Sequence, residues 1–331
     1  VTDLDDKLVR SLRIDGRAQF SALAKALGVN RALVAARVNH LLESGEVRVV
    51  AGVHPRVLGL GALAHLAIRI ARDPEPVYGA IGGLDGVAFL SETTGPYQAV
   101  AELRLPTMEE LADVTARIRA LPQVTEVNVL LYEHIIRTLF LGEEPPVPDI
   151  ELDETDIAIM TQLQRDGRLG FGELGKMVEL STSACRTRVL RLIDANVMHI
   201  GAIRRRPETS TQIVFGVGIT VRTEARDVVE LLTGLPELEF VARTVGRYAY
   251  VATVVADSIH DYNTIVRGLR ALDSVETVET WIHAEVRQEL YERDLDRLAA
   301  RRTEVPLRSG TVVRGHRCRP RARGAEITRI A

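Results

Sequence analysis

Residues 181–191 read Ser-Thr-Ser-Ala-Cys-Arg-Thr-Arg-Val-Leu-Arg, and their polar members are of the kinds that hold phosphates and read base edges. The hydroxyls of Ser181, Thr182 and Ser183 can bond phosphate oxygens, and Arg186, Arg188 and Arg191 can clamp a phosphate or pair with guanine. Spacing sharpens this reading. Cys185, Val189 and Leu192 fall at i, i+4 and i+7, one face of a helix, which turns Thr182, Ser183, Arg186, Thr187 and Arg191 outwards. Helices are predicted over about 156–165, 171–178 and 182–194. Three short helices with a tight turn between the second and third form the helix-turn-helix pattern, whose third helix enters the major groove.

The same pattern stands 151 residues earlier, and the register holds without a gap. Asp166-Gly167-Arg168 lands on Asp15-Gly16-Arg17, Phe171 on Phe20, and Arg188-Val189 on Arg37-Val38. A period this long means a duplicated two-part unit rather than a solenoid; only about a fifth of the paired positions are identical. In copy one the helices are predicted over 5–14, 20–27 and from Asn30, a suitable cap, to Glu43. Leu33, Val34, Val38, Leu41 and Leu42 form the apolar side of the third. Its outward candidates are Asn30, Arg31, Ala35, Asn39 and His40, with alanines also at 32 and 36, so copy two is expected to be the better base reader. Glu179 stands where copy one has the turn glycine Gly28, at a cost of about 1 kcal/mol if φ is positive. Arg37 and Arg188 match, as do Asp15 and Asp166. Either an Arg–Asp pair ties the third helix to the end of the first, or the arginines contact DNA.

Behind each of these modules the period changes. Strands over about 62–71, 86–93, 97–105 and 124–132, with helices over about 76–84 and 108–121, give the order β-α-β-β-α-β, and the second copy repeats it from 213 to 284. The expected fold class is α+β: two copies of a helix-turn-helix domain followed by a ferredoxin-like βαββαβ domain. Residues 46–53 read as a small wing or connecting hairpin. The turn Gly95-Pro96-Tyr97-Gln98 and its counterpart Gly246-Arg247-Tyr248-Ala249 are either plain hairpin turns or carboxylate cradles made of free backbone N–H groups. The domain boundaries follow: 1–53 and 54–141, a Pro-rich linker at 142–151, then 152–206 and 207–292, and a basic tail at 293–331. Arg204-Arg205-Arg206 either tracks phosphates or is solvated.

Composition excludes more than it selects. Hydrophobic residues make up 46% and charged residues 26% of 331 positions, ordinary for a globular chain. No apolar run approaches the ~20 residues that cross a bilayer, and the acidic, amphipathic start is not a secretory signal; a cytoplasmic location is expected. Net charge is −3, but the basic residues are nearly all arginine and clustered, which suits a small DNA-binding module. Cys185 reads as a small core residue. Nucleophile elbows, Walker loops, zinc signatures and CxxC pairs are missing, and the histidines lack ligand spacing. No cofactor, metal or catalytic residue is expected.

The combination LDETDxxIxxxLxxDGR, then LSxSxCRTRVxRL, then a βαββαβ unit with Gly-x-Tyr resembles the Lrp/AsnC, or feast/famine, transcriptional regulators over residues 1–141 and 152–292. The resemblance implies duplex DNA as a partner, self-association through the sheets, and a small-molecule effector held near Gly95, Tyr97, Gln98, Gly246, Arg247 and Tyr248 at contacts between dimers. The family carries Asp after that Tyr, where this chain has Gln98 and Ala249; Arg247 could instead meet a carboxylate or phosphate. The sirohaem decarboxylases, which are enzymes, share the two-part architecture. Ile203-Arg204-Arg205 is similar to their basic stretch, although the His and aromatic residues that follow it there are missing here.

Overall fold

The computed structural model describes residues 3–138, 150–204, 212–222, 225–290 and 295. Arg205, Arg206, the Pro-rich stretch 142–149 and the basic tail after 301 lie outside them. The elements run α1 (Asp3–Ile14), α2 (Phe20–Leu27), α3 (Arg31–Glu43), β1 (Val47–Val53), β2 (Ala62–Ile70), α4 (Glu75–Gly82), β3 (Val87–Thr93), β4 (Ala99–Leu105), α5 (Met108–Arg119) and β5 (Val124–Thr138). The second half follows as α6 (Glu154–Arg165), α7 (Phe171–Met177), α8 (Thr182–Asp194), β6 (Met198–Arg204), β7 (Ile213–Val221), α9 (Arg226–Thr233), β8 (Leu238–Val245), β9 (Tyr250–Ala256), α10 (Ile259–Arg270) and β10 (Val275–Glu289). Every element begins 151 residues after its counterpart.

Local chemistry sets the helix boundaries. Asn30 accepts from the Ala32 amide and Ser181 from the Ala184 amide, each satisfying an orphan donor at the start of a third helix. Asp153 and Asp156 form a capping box at α6. Thr107 and Ser258 cap α5 and α10 in the same way as each other. Gly28 ends α2 with φ of 67°; Glu179 takes the matching left-handed conformation with φ of 56°, so copy two carries the strain its sequence suggested.

The stretch after each helix-turn-helix is not a wing. β1 and β6 pair antiparallel with each other, from Val47 opposite Arg204 to Val53 opposite Met198. Val50 pairs with Gly201, its own counterpart in the repeat, so a pseudo-two-fold axis passes between them. Two Asp-Gly-Arg turns reach across this ribbon. The Gly16 amide donates to Ile200 O at 2.9 Å and the Gly167 amide to Val49 O at 2.8 Å. Arg17 donates to the carbonyls of Gly167 and Leu169 and lies over the Phe171 ring; Arg168 donates to the carbonyl of Gly16 and lies over Phe20. Side chains of both helical modules form one core, including Leu8, Leu12, Val38, Leu41, Met160, Leu163, Val189 and Leu192. Cys185 is fully buried in it.

The remaining strands close into a barrel in the order β10-β3-β4-β2-β5-β8-β9-β7. β5 and β10 are each 15 residues long, longer than the periodicity predicts, because each serves two partners. The first part of β5 pairs with β2 and its end with β8; β10 likewise pairs with β7 and then β3. Alternate residues then serve different cores, as strand geometry requires. On β2, Ala64, Leu66 and Ile68 pack beneath α4 and α5, while Leu63 and His65 point into the barrel among residues of both halves. Leu33, expected inward on α3, is 44% exposed. Among the described residues no helix is long and apolar enough to cross a membrane.

Two glycine-related changes separate close approach from turn strain. A Cβ on Gly167 would stand 2.8 Å from Ile200 Cγ2 and 3.1 Å from Val49 O. Gly167→Ala is expected to destabilise the paired modules by about 1–3 kcal/mol in urea denaturation. Glu179→Gly relieves a positive φ and is expected to stabilise them by about 1 kcal/mol.

Candidate nucleic-acid interface and turn cavity

The third helices α3 and α8 divide their polar residues into two tasks. Arg37 donates Nε to Asp5 Oδ1 at 2.9 Å and also bonds Asp5 Oδ2. Arg188 Nη1 lies 2.7 Å from Asp153 Oδ2 and 2.9 Å from Asp156 Oδ1, and Arg191 bonds Asp156 Oδ2. Asp5 and Asp156 are buried, and a buried carboxylate needs such partners. Hydrogen bonds to Asp153 and Asp156 push the Arg188 guanidinium above its ordinary range, as the bond to Asp5 does for Arg37. An Arg–Asp tie between the third and first helices therefore exists, but it reaches the start of the first helix. Asp15 and Asp166, which match each other in the repeat, instead accept from the amides of Arg17 and Arg168 within their own turns. Arg37, Arg188 and Arg191 are thus occupied in packing, and Arg204 likewise bonds Glu46 and Asp6 across the ribbon.

The outward set differs. Arg31, Asn39, Thr182, Ser183 and Arg186 are exposed. Arg31 and Arg186 meet no carboxylate among the described residues. Asn30 and Ser181 serve as caps while remaining at the surface, and Ser181 and Ser183 share a hydrogen bond at 3.2 Å. The Thr187 hydroxyl donates back to the Ser183 carbonyl.

The second set of candidates lies at the two Gly-x-Tyr turns, and the barrel brings them together. Gly95 and Gly246 have φ of 99° and 147°. Thr93 Oγ1 donates to the Tyr97 carbonyl at 2.9 Å, and Thr244 Oγ1 to the Tyr248 carbonyl at 2.7 Å. Tyr97 donates to Glu126, and Tyr248 to Glu279, each at 2.8 Å. Arg247 Nη2 spans both oxygens of Glu279 at 2.6 and 2.7 Å, and its Nη1 stands 3.4 Å from the Tyr97 hydroxyl. Gln98 is consumed locally: its Oε1 accepts from the Ile70 amide and its Nε2 donates to Gly95 O.

Between the turns lies a cavity of about 30 Å³, lined in part by His65, Tyr97, Asn128, Arg247, Tyr248 and Trp281. That is room for a water or two, since one needs on the order of 10–15 Å³. The cavity is lopsided about the pseudo-axis. His65 corresponds to Gly216 and Leu130 to Trp281, and a Cβ on Gly216 would meet the Trp281 ring at 2.0 Å. The His65 and Trp281 rings lie 5.6 Å apart, and burial lowers the His65 pKa to about 4. Burial, then Glu279, pushes the Tyr248 hydroxyl up. Glu126, Glu279, His65 and Trp281 were not singled out from sequence; a lone His within an apolar strand was the only available signal.

Comparison with known proteins now places the chain. The AsnC-type helix-turn-helix domain matches residues 1–42 and 152–193, and the Lrp/AsnC ligand binding domain matches 214–291. The HTH-type transcriptional regulator Ptr1 of Methanocaldococcus jannaschii is 30% identical over 147 residues, covering 44% of this chain and 97% of Ptr1. The chain belongs to the Lrp/AsnC family of transcriptional regulators. The regulatory protein AsnC of Haemophilus influenzae is 27% identical over 42% of this chain and 97% of its own length. Single-unit Lrp/AsnC relatives thus match less than half of the chain. A solved structure that spans most of it is the siroheme decarboxylase NirDL bound to an iron-uroporphyrin III analogue, with a TM-score of 0.61, 15% identity, and coverage of 91% of this chain and 98% of that one. At that identity the likeness is one of fold.

The buried imidazole makes a pH test. The unfolded ring protonates near pH 6.5 but the folded one only near 4. The unfolded state therefore takes up the proton first, and stability falls as pH drops from 6.5 to 4. The shift corresponds to about 3 kcal/mol. Urea denaturation of the unaltered chain and of His65→Leu should differ in pH dependence by roughly that amount within this window.

Proposed function

We propose that the chain is a DNA-binding transcriptional regulator made of two complete Lrp/AsnC units, each a helix-turn-helix domain joined to a ferredoxin-like sensor domain with the boundaries given above. The observation that carries this is the pair of third helices. Their inner arginines are held by buried carboxylates, while Arg31 and Arg186 are exposed and meet no carboxylate among the described residues, on the helix by which a helix-turn-helix module meets the major groove. Asn30, Arg31, Asn39, Ser181, Thr182, Ser183 and Arg186 contact DNA in this reading. Arg37, Arg188 and Arg191 hold the helices in place.

The paired turns are the effector site in the same reading. Arg247 faces a small acid once it parts from Glu279, since the cavity beneath is too small for one in the closed arrangement. Chains associate further through their sheet domains. The second reading, a sirohaem decarboxylase, is favoured by the shared tandem fold alone. The purified chain mixed with iron-uroporphyrin should show no shifted Soret band; a saturable shift would move the reading to the enzyme.

Affinity for duplex DNA is expected to fall with salt, with a log–log slope near −0.9 per phosphate contacted. Absence of binding to any fragment of a genomic pool would sink the proposal. Arg186→Ala should leave stability within about 0.5 kcal/mol and relax preference at one base pair by about 1–3 kcal/mol. Arg188→Ala should do the reverse, lowering stability by about 1–3 kcal/mol and keeping the ranking of DNA sequences. Denaturation curves and binding to a randomised duplex library measure both.

A further inference from the structure

We infer that a single chain reads a directional operator: two different half-sites in fixed order, one containing a G·C pair read by α8 and one rich in A·T read by α3. This rests on the DNA-binding reading above.

The two third helices agree at some positions and differ at others. Because the repeat has no gap, each position on α3 has one counterpart on α8. Inward positions keep their character: Val34 with Cys185, Val38 with Val189, Leu41 with Leu192, all buried. The structural arginine is kept too, as Arg37 and Arg188, each bonded to the matching acid Asp5 or Asp156. Outward positions have all changed. Arg31 corresponds to Thr182, Ala32 to Ser183, Ala35 to Arg186, Ala36 to Thr187, Asn39 to Leu190, and His40 to Arg191, which bonds Asp156. The two modules have therefore kept one scaffold and presented two surfaces on it.

Those surfaces suit different bases. Arg186 meets no acid among the described residues and can pair with the O6 and N7 of guanine. On α3 the methyls of Ala35 and Ala36, with the exposed Leu33 beside them, offer apolar contact to the thymine methyl. Asn39 offers the amide geometry that pairs with adenine N6 and N7. Arg31, at the first turn of α3, adds a cation that meets no carboxylate among the described residues, suited to a phosphate.

The pairing of these surfaces is obligatory. β1 and β6 join the two modules over seven residues each, and Arg17 and Arg168 lock across the ribbon. A two-chain dimer presents the same helix twice and matches a palindrome. This chain presents one α3 and one α8 about a pseudo-two-fold axis, so its site has a direction.

The test is selection of bound duplexes from a fully randomised library with the full chain, followed by affinities for the enriched site and for versions with one half replaced. The expected result is two unlike half-sites about one helical turn apart, 10–10.5 base pairs, with a G·C pair in one. Replacing the A·T-rich half by an inverted copy of the other should weaken binding by about tenfold. The double variant Ala35→Arg, Ala36→Thr should move the α3 half-site towards the α8 one. A palindromic consensus for the unaltered chain overturns the inference, as does salt-dependent binding without any enriched sequence; in both cases the DNA-binding reading stands. No binding to any duplex overturns that reading and this inference together.

Discussion

The structure depends on one contact made twice. In each Asp-Gly-Arg turn the aspartate accepts from the arginine amide, the glycine lets the backbone touch the opposite strand, and the arginine crosses to the other module. None of the three positions is free to vary alone. A side chain at Gly16 or Gly167 would fill the space that the Val49 or Ile200 side chain already occupies. Burial lowers the pKa of both arginines, but the carbonyl oxygens and aromatic faces they reach replace part of their hydration. The β1–β6 ribbon, the common helical core and the pairing of α3 with α8 all follow from this exchange.

At the other end of the molecule, β5 and β10 do the equivalent work by length. Each leaves its own half and adds a segment to the sheet of the other, so the barrel has no free edge to pair with a stray strand. The two Gly-x-Tyr turns meet as a consequence. The same axis passes near the cavity, and there the halves have stopped matching. His65 faces a position that in the other half is glycine, and Trp281 has grown into the space this leaves. Fusion permits such drift. In a dimer of identical chains a change at the axis occurs twice and must fit itself; here each half can change to suit the other.

Charge is used in the same economical way. Among the described residues, several arginines that suit nucleic acid by sequence are spent on carboxylates: Arg37 on Asp5, Arg188 and Arg191 on Asp156, Arg204 on Glu46 and Asp6. Among the described residues of the third helices, Arg31 and Arg186 remain for a polyanion. This agrees with a chain whose formal charge is −3.

The sequence by itself determined the repeat, the element order, the capped third helices and the buried place of Cys185, because these depend on local periodicity, capping chemistry and turn residues. It also placed Glu179 where the other copy has the turn glycine Gly28; that its φ is positive is the structure's finding. Tertiary structure decided everything that joins residues 151 apart. Residues 46–53 looked like a wing because a strand's pattern does not name its partner, and its partner lies in the other half. Arg37 and Asp15, each repeated in the second half, suggest a pair, yet Asp5, at the opposite end of α1, holds the arginine, because helix packing rather than shared spacing sets side-chain distance. Glu279 and His65 become visible at the turn cavity only once the barrel closes and brings five strands from two halves to one point.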